Sequence, residues 1–264
     1  MRIADLFVPN RKAGDKADAS NANVGHVRNL GRISHTYQTG GLYGEFINGQ
    51  RLKAWREAIG RFDIALDEVL DVGCAHGSWA GNWRELGFLK LCGIEPNEEV
   101  LEQARDAFDV VHHGFANELA VSLEPRRCVA ANGVIVHILE DEAELEFLTA
   151  LRKLCDARGH VCFSVINCRY YPTAGGRAPW TGPNSCTRTL AHHRALVKRA
   201  GLGLVGELGT FINPWALKEF DFTMAPEYRE SETLYQGWST VADGIRGRSL
   251  EPFSEVLMVT QPLD

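Results

Sequence analysis

Two glycines flanked by two carboxylates carry the sharpest chemical signal in the chain. Val69-Leu-Asp-Val-Gly-Cys-Ala-His-Gly-Ser-Trp79 runs an apolar stretch into a glycine turn, and Gly93-Ile-Glu-Pro96 ends the next apolar stretch. Gly73 and Gly77 let the backbone turn tightly and approach a ligand closely. Glu95 stands 22 residues after Gly73, where a carboxylate can accept hydrogen bonds from both hydroxyls of a ribose. A dinucleotide site needs GxGxxG, so that a pyrophosphate sits on a helix N-terminus. Here the spacing is GxxxG, Ala75 fills the middle, and Asp71 precedes the first Gly by two residues. A carboxylate there repels a pyrophosphate, yet suits a ligand with a positive charge or an amino group and no phosphate. This counts against a nicotinamide oxidoreductase.

The elements that must position these residues alternate along the chain. Apolar periodicity predicts a helix over residues 46–62, then strands at 69–72, 89–94, 110–112, 128–131 and 161–166. Helices fall between them at 79–86, 98–108 and 141–155, and another at 190–200 is stopped by Gly201. Residues 202–212 and 256–260 read as two last strands. Strands alternating with helices of this length imply βαβ units, hence an α/β doubly wound, mostly parallel sheet with helices on both faces. Residues 1–44 lack a helical period and read as an N-terminal arm packed on a domain spanning 45–264. Two long, aromatic-bearing stretches, at about 167–188 and 213–252, interrupt the alternation and read as insertions.

The chain resembles the class I S-adenosylmethionine-dependent methyltransferases. Their pattern is an acidic residue, any residue, then Gly-x-Gly-x-Gly; DVGCAHG follows it, with the small Ala75 for the middle Gly. GIEP is similar to the second motif, whose acidic residue holds the ribose. His113-Gly-Phe-Ala-Asn-Glu-Leu119 is similar to the third, with Phe115 where the family often has an Asp on the adenine amino group. Asn132-Gly-Val-Ile-Val-His-Ile138 resembles the segment after the fourth strand, and residues 189–201 resemble the helix before the sixth. The resemblance covers about residues 65–165, 187–212 and 253–262. It implies a seven-stranded Rossmann-like sheet and S-adenosylmethionine as cofactor, with S-adenosylhomocysteine as product. The cofactor residues it implies are Asp71, Gly73, Cys74, Ala75, His76, Gly77, Glu95, Pro96, Phe115, Ala116, Asn132 and Gly133. It also implies that the arm closes as a lid, with Tyr37 on the methionine carboxylate or in the acceptor pocket. The alternative for Tyr37 and Tyr43 is that both rings anchor the arm.

Methyl transfer from a sulfonium is an in-line displacement, so the protein aligns the reactants and removes a proton from a hydroxyl or ammonium nucleophile. His137, after the fourth strand, is the candidate base; its alternative is a packed, hydrogen-bonded core imidazole. His76 either touches the cofactor, or caps the following helix or faces solvent. The pairs His112-His113 and His192-His193 diverge on strand and helix and make no metal site alone, and the second pair is expected on a solvated face. No Asp-rich cluster of the magnesium type is present, so no metal is expected. Arg169 and Arg177, beside Tyr170 and Tyr171, are candidates to pair with a carboxylate or phosphate on the acceptor.

Composition bounds the function. The 264 residues hold 28 basic and 34 acidic side chains, a net charge of -6, and 45% hydrophobic residues. That is a globular composition, and the acidic balance argues against coating nucleic acid or an anionic membrane. The motif Asn/Asp-Pro-Pro-aromatic of base-modifying amino methyltransferases is missing; Ala130-Ala-Asn-Gly-Val stands there instead. No apolar run spans a membrane and the N-terminus lacks a secretory apolar core. Seven Cys, an odd number without a CxxC pair, suggest neither a disulfide framework nor a zinc site. The expectation is a cytoplasmic enzyme that methylates a hydroxyl or amine of a small molecule in a biosynthetic pathway. The alternatives are a protein or other macromolecular acceptor, and a non-catalytic S-adenosylmethionine-binding protein. Oligomeric state leaves no signal in the sequence.

Overall fold

The computed structural model describes residues 41–171, 173, 176–213 and 231–263. Tyr37 and the rest of residues 1–40 lie outside them. The first element is a helix, α1 (Gly41–Phe62). It starts five residues before the expected 46, so Tyr43 belongs to it. Its buried residues include Phe46, Leu52, Ala54, Trp55 and Ala58. It ends where Asp63 takes a left-handed φ of 54° and Ile64 N–H bonds back to the Ile59 carbonyl, 3.4 Å away.

Then β1 (Glu68–Val72), α2 (Ala80–Glu85), β2 (Lys90–Glu95), α3 (Leu101–Ala107) and β3 (Val110–His113) follow. After them come α4 (Ala116–Leu119), β4 (Arg126–Ala131), α5 (Asp141–Leu154) and β5 (Cys155–Ile166). A small hairpin, β6 (Trp180–Thr181) and β7 (Cys186–Thr187), precedes α6 (Leu190–Arg199) and β8 (Leu202–Gly209). The chain finishes with α7 (Glu232–Ile245) and β9 (Glu255–Pro262). Helix α7 corrects the sequence reading of 213–252, which took the stretch only as an insertion. Its apolar residues Leu234, Tyr235, Trp238, Val241, Ala242 and Ile245 keep a helical period.

The sheet is seven-stranded, in the order β3-β2-β1-β4-β5-β9-β8. The pairs among β1 to β5 are parallel, and β9 lies antiparallel between β5 and β8. This is the doubly wound, mostly parallel architecture expected. Alternate residues of each inner strand face opposite layers. Leu70, Val72, Val129, Phe163 and Val165 pack against Leu148, Leu151 and Leu196 of α5 and α6. Val69, Leu91, Ala130 and Cys162 pack against Trp55, Trp83 and Phe108 on the side of α1, α2 and α3. With both faces covered, the strands read as near-continuous apolar runs. The strand order reverses between β1 and β4, and the crevice beyond their carboxyl ends is where such sheets bind ligands. All seven cysteines are buried and free. Among the described residues no helix is long and apolar enough to cross a membrane.

Candidate functional site

The glycine turn leaves β1 and is stitched to β2: the N–H groups of Gly73 and Cys74 donate to the Ile94 carbonyl at 2.8 and 3.2 Å. Three alternate residues take left-handed conformations, Gly73 at φ 80°, Ala75 at 49° and Gly77 at 85°. The two glycines are needed for this, and for packing. A Cβ on Gly73 would stand 2.6 Å from Val134 Cγ2, and one on Gly77 2.7 Å from Ala107 Cβ. Their missing side chains thus admit protein neighbours. Ala75 is a sterically small substitute, but its strain is conformational, since an L-residue in this region costs about 1–2 kcal/mol.

Glu95 explains how that strain is held. Its Oε2 accepts the Ala75 N–H at 2.9 Å and its Oε1 accepts the Asn97 N–H at 2.7 Å. The carboxyl is 6% exposed, and burial raises its pKa while the two amides pull it down. Each oxygen keeps a further lone pair, so the group is preset to receive two hydroxyls. Nearby, the buried Asn97 Nδ2 has no hydrogen-bond partner among the described residues. Asn132 beyond β4 is in the same state: its Oδ1 accepts Trp55 Nε1 at 3.0 Å, and its buried Nδ2 has no described partner. Orphaned donors beside a fixed carboxylate, at the carboxyl ends of β2 and β4, fit a nucleoside-bearing ligand.

Asp71 is differently placed from the expectation of a carboxylate facing a cationic ligand. It is 4% exposed, and its Oδ2 accepts Trp83 Nε1 at 2.8 Å in the helical layer beside β1. Burial pushes its carboxyl up to about 7, against the Trp83 bond and with a push from Glu95. Cys74 turns its thiol into the core, where it fills the space left by Gly93, so only its backbone can face a ligand. His76 is half-buried in the turn. Pro96 offers its carbonyl to His113 Nε2 at 3.3 Å. Phe115, half-buried, opens α4, and the preceding Gly114 N–H bonds to the Glu95 carbonyl at 3.2 Å. The buried Ala116 follows. The third motif is thereby tied to the second.

Beyond β4, Gly133 N–H donates to Ser164 Oγ at 2.8 Å. His137 ends a 3-10 turn, Ile135–His137, and its Nδ1 lies 2.8 Å from the Asn184 carbonyl oxygen. Across the same end of the sheet, Arg51 of α1 grips Glu255 of β9 through Nε–Oε1 at 2.8 Å and Nη2–Oε2 at 2.5 Å. Thr210 Oγ1 adds a bond to Oε1 at 2.9 Å. An aromatic group surrounds this pair: Tyr235 lies 5.2 Å from Phe46 and 6.1 Å from Tyr43 between ring centroids, and Phe211 sits 6.0 Å from the Arg51 guanidinium carbon. Burial, with the neighbouring phenols of Tyr171 and Tyr235, raises the Tyr43 hydroxyl pKa. None of Arg51, Glu255 or Asn97 was singled out by sequence; the partners of the first two are too far apart in the chain for any local signal.

Other candidates stay outside this cluster. Arg169 pairs with Glu251 at 3.1 Å on the surface, and Arg177 is exposed. Of the His192-His193 pair expected on a solvated face, His192 is half-buried while His193 is buried against Glu144, its Nδ1 2.7 Å from Oε1. Helix α6 packs that side onto α5, which takes one imidazole into the core. Among the described residues no group of three or more His, Cys, Asp or Glu is arranged to hold a metal.

A family model described as a methyltransferase domain matches residues 43–207, well over half of the chain. The chain belongs to the class I S-adenosylmethionine-dependent methyltransferases. Solved structures show the same fold for this methyltransferase. A S-adenosylmethionine-dependent methyltransferase from Leishmania major shares 14% identity at a TM-score of 0.59, over 94% of this chain and 87% of that one. The CcbJ methyltransferase of Streptomyces caelestis shares 14% at 0.57, over 90% and 98%. The 1,6-didemethyltoxoflavin N1-methyltransferase of Burkholderia thailandensis, solved with its substrate and S-adenosylhomocysteine, shares 14% at 0.56, over 96% and 94%. No curated protein matches the chain.

Proposed function

We propose that this methyltransferase acts on a hydroxyl or amine of a small molecule in a biosynthetic pathway, with His137 as base. The observation that carries the cofactor half of this reading is Glu95, whose two oxygens are preset by the Ala75 and Asn97 amides. In this reading Glu95 holds the ribose hydroxyls, and the backbone of residues 73–77 lines the amino-acid portion beside Asp71 and His76. Pro96, Phe115 and Ala116 border the adenine, and Asn132 and Gly133 flank the side from which the methyl group leaves. The N-terminal arm ahead of α1, with Tyr37, is read as the lid over the site, and the insertions at about 167–188 and 213–252 as the parts that select the acceptor.

S-adenosylmethionine supplies a methyl group already activated on a sulfonium. The chain's own work is alignment, exclusion of water and removal of one proton. A carbonyl oxygen only accepts, so the Asn184 carbonyl beside His137 Nδ1 favours the neutral ring protonated there, and in this reading Nε2 is the nitrogen that takes the proton. The aromatic group around Arg51 supports a flat, small acceptor, as does the Burkholderia relative, which takes a small heterocycle. The net charge of -6 speaks against a nucleic acid.

Thermal unfolding tests the cofactor first. At about a hundred times its dissociation constant, a ligand adds roughly 2.7 kcal/mol of stability. A shift with S-adenosylhomocysteine and none with NAD is expected; the reverse would refute the reading. With an acceptor in hand, His137→Ala should lower kcat by about 10²–10⁴, the range for a general base, and spare cofactor affinity. Full turnover in that variant would return His137 to the core.

A further inference from the structure

The loop after β4 and the β6–β7 hairpin meet at one buried cation. Arg188 is 7% exposed. Its Nε donates to Asp141 Oδ1 at 2.8 Å, its Nη1 to the Ile138 carbonyl at 3.1 Å, and its Nη2 to the Leu139 carbonyl at 2.9 Å. These groups directly follow His137 in the chain. The same guanidinium reaches Cys186 Sγ at 2.6 Å, and that thiol donates in turn to the Ile138 carbonyl at 3.0 Å. Cys186 stands two residues after Asn184, whose carbonyl faces His137 Nδ1. The backbone of Arg188 is fixed as well: it bridges to Asn167, and its carbonyl accepts the Cys168 N–H at 3.3 Å, beyond the end of β5.

We infer that Arg188 is the positioning residue for His137: it clamps the segment that carries the imidazole to the hairpin that carries the carbonyl facing it. The inference rests on the reading of His137 as base. One half of the Nδ1–carbonyl contact belongs to residues 137–141 and the other to residues 184–188. A planar guanidinium suits the task, because its donors leave in fixed directions and two adjacent carbonyls need two of them at once. Its charge is balanced within the core. Glu144, 0% exposed, lies 3.1 Å from Nη1 through Oε2 and holds His193 through its other oxygen. With the clamp closed, the neutral ring keeps its proton on Nδ1. With the clamp open, the Asn184 carbonyl no longer selects between the two nitrogens.

The test is the imidazole nitrogen spectrum of the full chain, labelled with nitrogen-15 histidine and bound to S-adenosylhomocysteine. His137 is assigned by the signals lost in His137→Asn. The expected wild-type result is a single neutral tautomer protonated on Nδ1. Arg188→Met should still bind S-adenosylhomocysteine and show His137 as a mixture of tautomers, and Arg188→Lys, which keeps the charge without the fork, should lie between. A merely structural Arg188 would lower stability and leave the tautomer alone. A single Nδ1–H tautomer in folded Arg188→Met, or a wild-type ring protonated on Nε2, overturns the inference. If Arg188→Met does not fold, Asp141→Ala removes one arm of the clamp at an exposed side chain; partial mixing supports the inference and an unchanged tautomer overturns it. Turnover of His137→Ala judges the base itself, so the two ideas fail separately.

Discussion

Strands β3, β2 and β1 and strands β5, β9 and β8 are the two wings of one sheet, and they are held together by contacts of opposite kind. In the first wing the decisive partners are near in the chain. Ala75 and Glu95 are 20 residues apart, and Asp71 and Trp83 are 12 apart. In the second wing Arg51 and Glu255 are 204 residues apart, and α1 meets α7 through Phe46 and Tyr235. In the first wing these polar contacts close within one short stretch of chain. The second exists only when the two ends of the chain have met.

Substitutions on the two wings should separate stability from cofactor affinity. The largest effect belongs to Glu255→Ala. It strands a largely buried guanidinium, 14% exposed, and should cost about 3 kcal/mol of unfolding free energy in denaturant titration, while the folded variant keeps its S-adenosylhomocysteine affinity. A loss of affinity without a loss of stability would erase the contrast. Next is Asp71→Asn, which keeps an acceptor for Trp83. Because burial lifts the folded carboxyl to about 7, its contribution is complete below the unfolded value near 4 and is lost as pH rises through about 7. The variant should therefore gain on wild type, by of order 3 kcal/mol, between pH 5 and 8 in the absence of ligand. A gap that does not change with pH would mean that Asp71 stays ionised in the fold.

Smaller effects fall on the cofactor wing alone. Glu95→Ala should weaken S-adenosylhomocysteine binding by about 1.5–3 kcal/mol in calorimetry, the range of charge-assisted hydrogen bonds. Unchanged binding would refute the ribose role. Ala75→Gly should stabilise by about 0.5–1 kcal/mol, the left-handed strain less the extra chain entropy of glycine. A destabilised Ala75→Gly would show that the turn exploits the strain.

What was legible in the sequence follows the same division. The strands around residues 69–72 and 89–94, the glycine turn and Glu95 were all readable because local pattern and local contact coincide there. Even so, local pattern missed why: Gly73 and Gly77 make room for Val134 and Ala107, which are distant in sequence. Asp71 read as a charge because nothing nearby announced Trp83 as its cap. Helix α1 was placed too short, since its first turn contains Gly41 and Gly44 and is held by Phe46 against Phe211 and Tyr235. Helix α7 was hidden by Gly237 and Gly244, although its apolar period was present. The Arg51–Glu255 pair had no local trace at all, because an ion pair across the whole chain leaves no spacing to recognise.

The seven buried cysteines have a practical consequence. Burial pushes their thiols upward, that of Cys155 to about 12, so almost no thiolate forms at neutral pH. A thiol reagent can then react only when the chain opens, and the rate of labelling becomes a clock for opening. Cys74 under the glycine turn and Cys186 in the clamp would time the two sides of the site separately, each read in a chain whose other thiols are replaced.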